Sequence, residues 1–139
     1  MVESKLLYGL SSFWLRKADQ RRLDSFQNRC LRRILKIPPS YYSRVSNVDV
    51  LGRSNMEKLS TIVLRRQLLH FGKVVRQSTD HPLRAVTFIG DTLALRVEIY
   101  VCKVGRPRLH LPRELLGIAS AIVGGEVRLA PLLREEKRW

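Results

Sequence analysis

The sequence predicts a mainly α fold, a small bundle of amphipathic helices with an extended or strand-like connection near residues 90–104. Three observations point there. Two long stretches, 18–37 and 55–77, bring apolar residues back at three- and four-residue steps, the period that lines one face of an α-helix. Proline and glycine at Pro38-Pro39, Pro82 and Gly124-Gly125 cut the chain into lengths suited to short packed helices. Of the 139 residues, 45% are hydrophobic, enough to close a core despite a formal charge of +14, so a wholly disordered basic tail is not expected.

Taken in order, Ser4 to Trp14 is apolar and aromatic and reads as a short buried helix or strand ending before Arg16-Lys17. Leu23, Phe26, Cys30, Leu31, Ile34 and Leu35 give the helical period over Ala18 to Ile37, and Pro38-Pro39 stops that helix. The following loop carries Tyr41 and Tyr42, which either cover the core or stack on a base. Ser46 and Asp49 have the spacing of a capping box, which opens a short helix from Asn47 to Arg53. Asn55 is placed to cap a second long helix, built on Leu59, Ile62, Val63, Leu68, Phe71, Val74 and Val75 and reaching about Gln77. Gly72 inside it costs ~1 kcal/mol against Ala and marks a close contact, a kink or a turn.

Asp80 or His81 before Pro82 begins a short helix over Leu83 to Phe88. Leu93 to Val104 alternates apolar and polar residues with a period of two, which favours a strand or an extended arm. Pro112 to Val123 and Glu126 to Arg134 read as a last helical pair, broken at Gly124-Gly125. The organisation is therefore a basic helical module over 1–88, a linker or extended arm over 89–109 that carries Gly105-Arg106-Pro107-Arg108, and a C-terminal helical pair over 110–139.

Charge gives the first functional pointer. The chain has 26 Lys and Arg against 12 Asp and Glu, and residues 1–79 hold 16 of the cations with only 5 acids. Of the cations 19 are Arg, whose planar fork matches phosphate oxygens and stacks on bases. A polyanion, nucleic acid first, is the expected partner of the first half. Arg22, Arg29, Arg33 and Lys36 fall within about 60° on a continuous helix at 100° per residue, a cationic edge beside the apolar face. Arg65, Arg66, Lys73 and Arg76 decorate the second long helix, and Arg106 and Arg108 flank a rigid proline.

Other functions are excluded by what the residues cannot build. Cys30 and Cys102 stand 72 positions apart with no metal-like spacing around them, so neither a zinc site nor a disulfide framework is expected. No apolar run approaches the ~20 residues of a membrane span, and the first residues make a poor secretory signal. The chain is expected to be intracellular, nuclear or cytoplasmic, with no membrane partner. There is no phosphate-cradling glycine loop, nucleophile elbow or paired aspartate motif. No catalytic residue, metal or cofactor is expected.

Several blocks, in order, carry a resemblance: Leu6-Leu7-Tyr8-Gly9; Ala18-Asp19, Arg22-Leu23-Asp24, Phe26-Gln27, Arg29 to Leu35 and Ile37; Val45-Ser46-Asn47 with Asp49-Val50-Leu51; Leu64 to Leu69, Phe71 to Val74 and Arg76; Gly105-Arg106-Pro107-Arg108; and Arg138-Trp139. Over nearly the whole chain they resemble the region after the polymerase palm in LINE-type, non-LTR retrotransposon reverse transcriptases. The pattern departs at Leu10-Ser11-Ser12, where the family often has an acid, at Lys73 for a common His, and at Leu109-His110-Leu111 for a usual Trp.

The resemblance implies a thumb and the segment beyond it, helical and gripping the template–primer duplex, whether RNA–DNA hybrid, RNA or DNA, with a reverse transcriptase palm domain as a possible protein partner. It places the palm's catalytic aspartates upstream of the first block, so this chain alone is expected not to polymerise DNA. A truncated retroelement remnant acting as a structural or protein-interaction module is the alternative, and an RNA-packing assembly protein is a third.

Overall fold

The computed structural model describes residues 7–96, 110–125, 128–129 and 131–132. They are mainly helical: α1 spans Lys17–Ile34, α2 Ser40–Ser43, α3 Asn47–Ser54, α4 Leu59–Arg76, α5 Pro82–Thr87 and α6 Leu111–Val123, after a 3-10 turn at Leu10–Ser12. The chain divides into two compact units, Met1–Leu10 with Leu15–Arg65, and Ser11–Trp14 with Arg66–Trp139.

The first unit has two apolar clusters. Leu7, Leu59 and Val63 form one, with Leu10, Leu15, Leu23 and Ile62 packed against it. Leu31, Val50 and Leu51 form the other, with Ile37, Val45 and Met56, and this cluster seats α3 on α1. Leu7 is buried as expected and is helical, and the described residues after it turn through Leu10–Ser12 with Tyr8 and Phe13 exposed.

Two helix ends correct the expected boundaries. α1 stops at Ile34, three residues before Ile37. Lys36 turns left-handed at φ 53°, its amide donates to Arg33 O, and the Ile37 amide donates back to Arg32 O. That paired closure satisfies the last carbonyls before the prolines arrive, so Pro38-Pro39 follow the stop instead of making it. Asn55 likewise takes the left-handed position, φ 49°, and ends α3, with the Met56 amide donating to Leu51 O. Asn55 is therefore not the N-cap of α4; an Asn tolerates this backbone region, which suits it to close a helix.

The capping box at the start of α3 is present: Ser46 Oγ accepts from the Asp49 amide at 3.1 Å and Asp49 Oδ2 accepts from the Ser46 amide at 3.2 Å. α4 is capped from a distance. The Leu59 amide donates to Gln27 Oε1 at 3.0 Å and the Ser60 amide to Asp24 Oδ1 at 3.0 Å, both acceptors standing on α1. Ser60 Oγ also donates to Asp24 Oδ2, and Gln27 Nε2 to Glu57 O. Two side chains of one helix thus satisfy the orphan amides that open another.

In the second unit Phe71, Val75, Phe88, Leu115, Leu116, Ala119 and Leu129 are buried, and the Phe71 and Phe88 rings lie 5.9 Å apart. His81 is the N-cap of α5, with Pro82 in the first helical turn and Nδ1 accepting from the Leu83 amide. α5 ends at Thr87, so Phe88 is outside it, extended, fully buried and bridged antiparallel to Leu95. Gly72 lies buried inside an unbroken α4. α6 closes at Gly124, φ 82°, as its punctuation predicts. Among the described residues no strand forms. Residues 89–96 make a turn closed by the Ile89 amide to Ala94 O and the Arg96 amide to Thr87 O, while 97–109 and most of 126–139 lie outside the described residues.

Candidate nucleic-acid interface

Helix α1 separates two kinds of arginine. Leu23, Leu31, Gln27, Asn28 and Arg32 turn inward, which leaves Arg22, Arg29 and Arg33 exposed on one face. Arg22 has an 85% exposed side chain, with Asp19 Oδ1 at 3.8 Å. Lys36, the fourth expected member, is exposed but lies past the helix end in the left-handed turn, so its direction no longer follows the helical period.

Arg32 is the residue that the sequence pattern did not single out. It is only 8% exposed. Its Nη1 donates to Pro38 O at 3.1 Å and Ser43 Oγ at 3.4 Å, and its Nη2 to Val45 O at 2.6 Å and Asn47 Oδ1 at 3.1 Å. One guanidinium ties the segment from Pro38 to Asn47 against α1. No signal in the helical period marks it, because at 100° per residue Arg32 falls roughly opposite the stripe of Leu23, Phe26, Cys30, Leu31, Ile34 and Leu35.

Around the same helix an open concavity of about 600 Å³ is lined by Phe26, Arg29, Cys30, Arg32, Arg33, Ile37 and Pro39. Phe26 is 40% exposed, although its spacing predicts a core position. Tyr41 and Tyr42 do not cover the core: both are 76% exposed, with ring centroids 4.5 Å apart.

The cations of α4 are more mixed. Arg65 Nη2 lies 2.8 Å from Glu57 Oε1, and that hydrogen bond, reinforced by the carboxylate's charge, holds the guanidinium's pKa above its ordinary value. Arg66 and Lys73 are exposed seven residues apart on one face. Arg76 is half-buried, its Nη1 shielded from solvent and without a hydrogen-bond partner, which makes it the least available of the four. Arg84, not among the expected contacts, is buried: it donates to Val75 O and pairs with Asp91 at 3.3 Å, 5.8 Å from the Phe88 ring centre. Arg106 and Arg108 lie outside the described residues.

No group of three or more His, Cys, Asp or Glu side chains among the described residues could hold a metal ion. Nor, among them, is any helix long and apolar enough to cross a membrane. No family model matches the chain, and comparisons with curated proteins and with solved structures brought no match.

Proposed function

We propose that this chain is a non-catalytic nucleic-acid-binding module that grips a duplex by its phosphates, as a polymerase thumb does. The observation that carries the reading is the outer face of α1, where Arg22, Arg29 and Arg33 stand exposed in register while the neighbouring Arg32 is buried in structural hydrogen bonds. Rigid guanidinium groups on a packed helix suit sugar-phosphate contacts that position a duplex without reading its sequence. Lys36 is an accessible further contact of the same unit, and Arg66 and Lys73 are accessible on the second unit. The resemblance to the post-palm region of LINE-type reverse transcriptases supports the same ligand, the template–primer duplex, and a palm-bearing protein as the catalytic partner.

The test is the affinity of the chain for an RNA–DNA hybrid as salt is raised. With four to six phosphates neutralised, log K falls against log salt with a slope of roughly −3 to −5. Replacing Arg22, Arg29 and Arg33 together by Ala makes the slope shallower by roughly 2 to 3 and weakens binding at low salt. Weak binding with equal slopes for the two proteins would exclude the α1 face.

A second reading, a structural or protein-interaction module, is favoured by the exposed apolar side chains of Tyr8, Ile34, Val48 and Ile122. It predicts self-association or capture by a protein partner that the triple alanine variant leaves intact.

A further inference from the structure

We propose that the concavity beside α1 holds one unpaired nucleobase of the bound nucleic acid, against Phe26 and its apolar neighbours, with Arg29 and Arg33 on the adjoining phosphates. This rests on the nucleic-acid reading above and names the part of the ligand that this place takes. Its volume, about 600 Å³, falls within the ~300–1,000 Å³ of clefts that hold small organic ligands.

The lining decides the class of occupant. Phe26, Cys30, Ile37 and Pro39 make an apolar platform, Arg29 and Arg33 add two exposed cations beside the buried Arg32, and among the described residues no acidic side chain lines it. A nucleotide joins a flat apolar face to a negative charge, so its site needs an aromatic or apolar platform beside a cation. On α1 Phe26 falls within about 60° of Arg22, Arg29 and Arg33 at 100° per residue, so a phosphate chain held by the arginines passes directly over the ring. Paired bases keep their faces inside the stack, and only an unpaired base offers one to a side chain. An apolar peptide would match the walls but would leave both guanidinium groups without counter-charge. A second concavity of this unit, about 310 Å³, has no aromatic side chain among its described lining residues, and its Asp24 is already engaged at the start of α4.

The experiment compares, for the full chain, a blunt RNA–DNA hybrid with the same hybrid carrying a few unpaired nucleotides at either end. The overhang is expected to bind roughly five- to a hundred-fold tighter, the effect of one base–aromatic stack. Phe26→Ala brings that ratio near one and Phe26→Trp keeps it. Phe26→Leu retains apolar bulk for folding but removes the ring, and also loses the ratio. With Cys102 replaced by Ser, alkylation of the half-buried Cys30 is slowed by the overhang substrate and not by the blunt one.

Equal, salt-steep binding of both hybrids by the unaltered chain overturns the proposal and leaves the duplex grip standing. So does an overhang preference that survives in folded Phe26→Ala and Phe26→Leu, or one that leaves Cys30 unprotected, as it would if the cleft took a protein segment instead. Absence of salt-steep binding to either hybrid removes the duplex grip and this proposal together.

Discussion

Arg32 and Arg33 are neighbours in α1 with opposite roles. Arg33 is exposed beside the concavity, whereas Arg32 is buried and reaches four acceptors between Pro38 and Asn47. A buried charge is tolerated only when its hydrogen bonds are made, and here two carbonyls and two side-chain oxygens make them. Arg32→Met removes those bonds and strands the acceptors, so it is expected to cost about 2–4 kcal/mol, read from the urea midpoint at unchanged m-value. Arg33→Met is expected to leave the midpoint nearly unchanged and to weaken hybrid binding. The same division separates Arg84, held by Val75 O and Asp91, from the exposed Arg66. A count of arginines could not make it, because charge is the same in both settings and only the surroundings differ.

At the scale of elements, local signals were legible wherever the deciding atoms lie within a turn of each other. The capping box of α3, the proline start of α5 and the glycine end of α6 all act over two to four residues. Asp49 illustrates the energetics: its hydrogen bonds from Ser46, side chain first and backbone second, hold its carboxyl below the ordinary carboxylate range. A carboxyl with a depressed folded-state pKa contributes stability that is complete above the unfolded pKa of ~3.9. That contribution is lost as pH falls through the folded value. The stability difference between the unaltered chain and Asp49→Asn is therefore expected to be constant from neutral pH down to about 5 and to close below about 4, followed by urea unfolding at each pH. The start of α4 was not legible in this way. Its acceptors, Asp24 and Gln27, are more than thirty positions back, and nothing near Leu59 announces them. The end of α1 was misplaced for a related reason: a non-glycine residue, Lys36, occupies the left-handed position and leaves no glycine to mark it.

Across the whole molecule, excess positive charge couples stability to the ligand. A chain of formal charge +14 repels itself, and a polyanion that binds only the folded form relieves that repulsion while stabilising it by mass action. A hybrid duplex at a hundred times its dissociation constant is expected to add about 2.7 kcal/mol, seen as a rise in Tm. The triple Arg22, Arg29, Arg33 alanine variant at the same duplex concentration should show a smaller rise. Helical class, the two long amphipathic segments and the charge bias toward the first half follow from periodicity and composition alone, because a face of a helix is written at three- and four-residue steps. Which arginines remain outside, where α4 finds its cap and the hollow around Phe26 follow from contacts between residues distant in the chain. Those contacts set desolvation and hydrogen bonding, and neither is a property of a residue by itself.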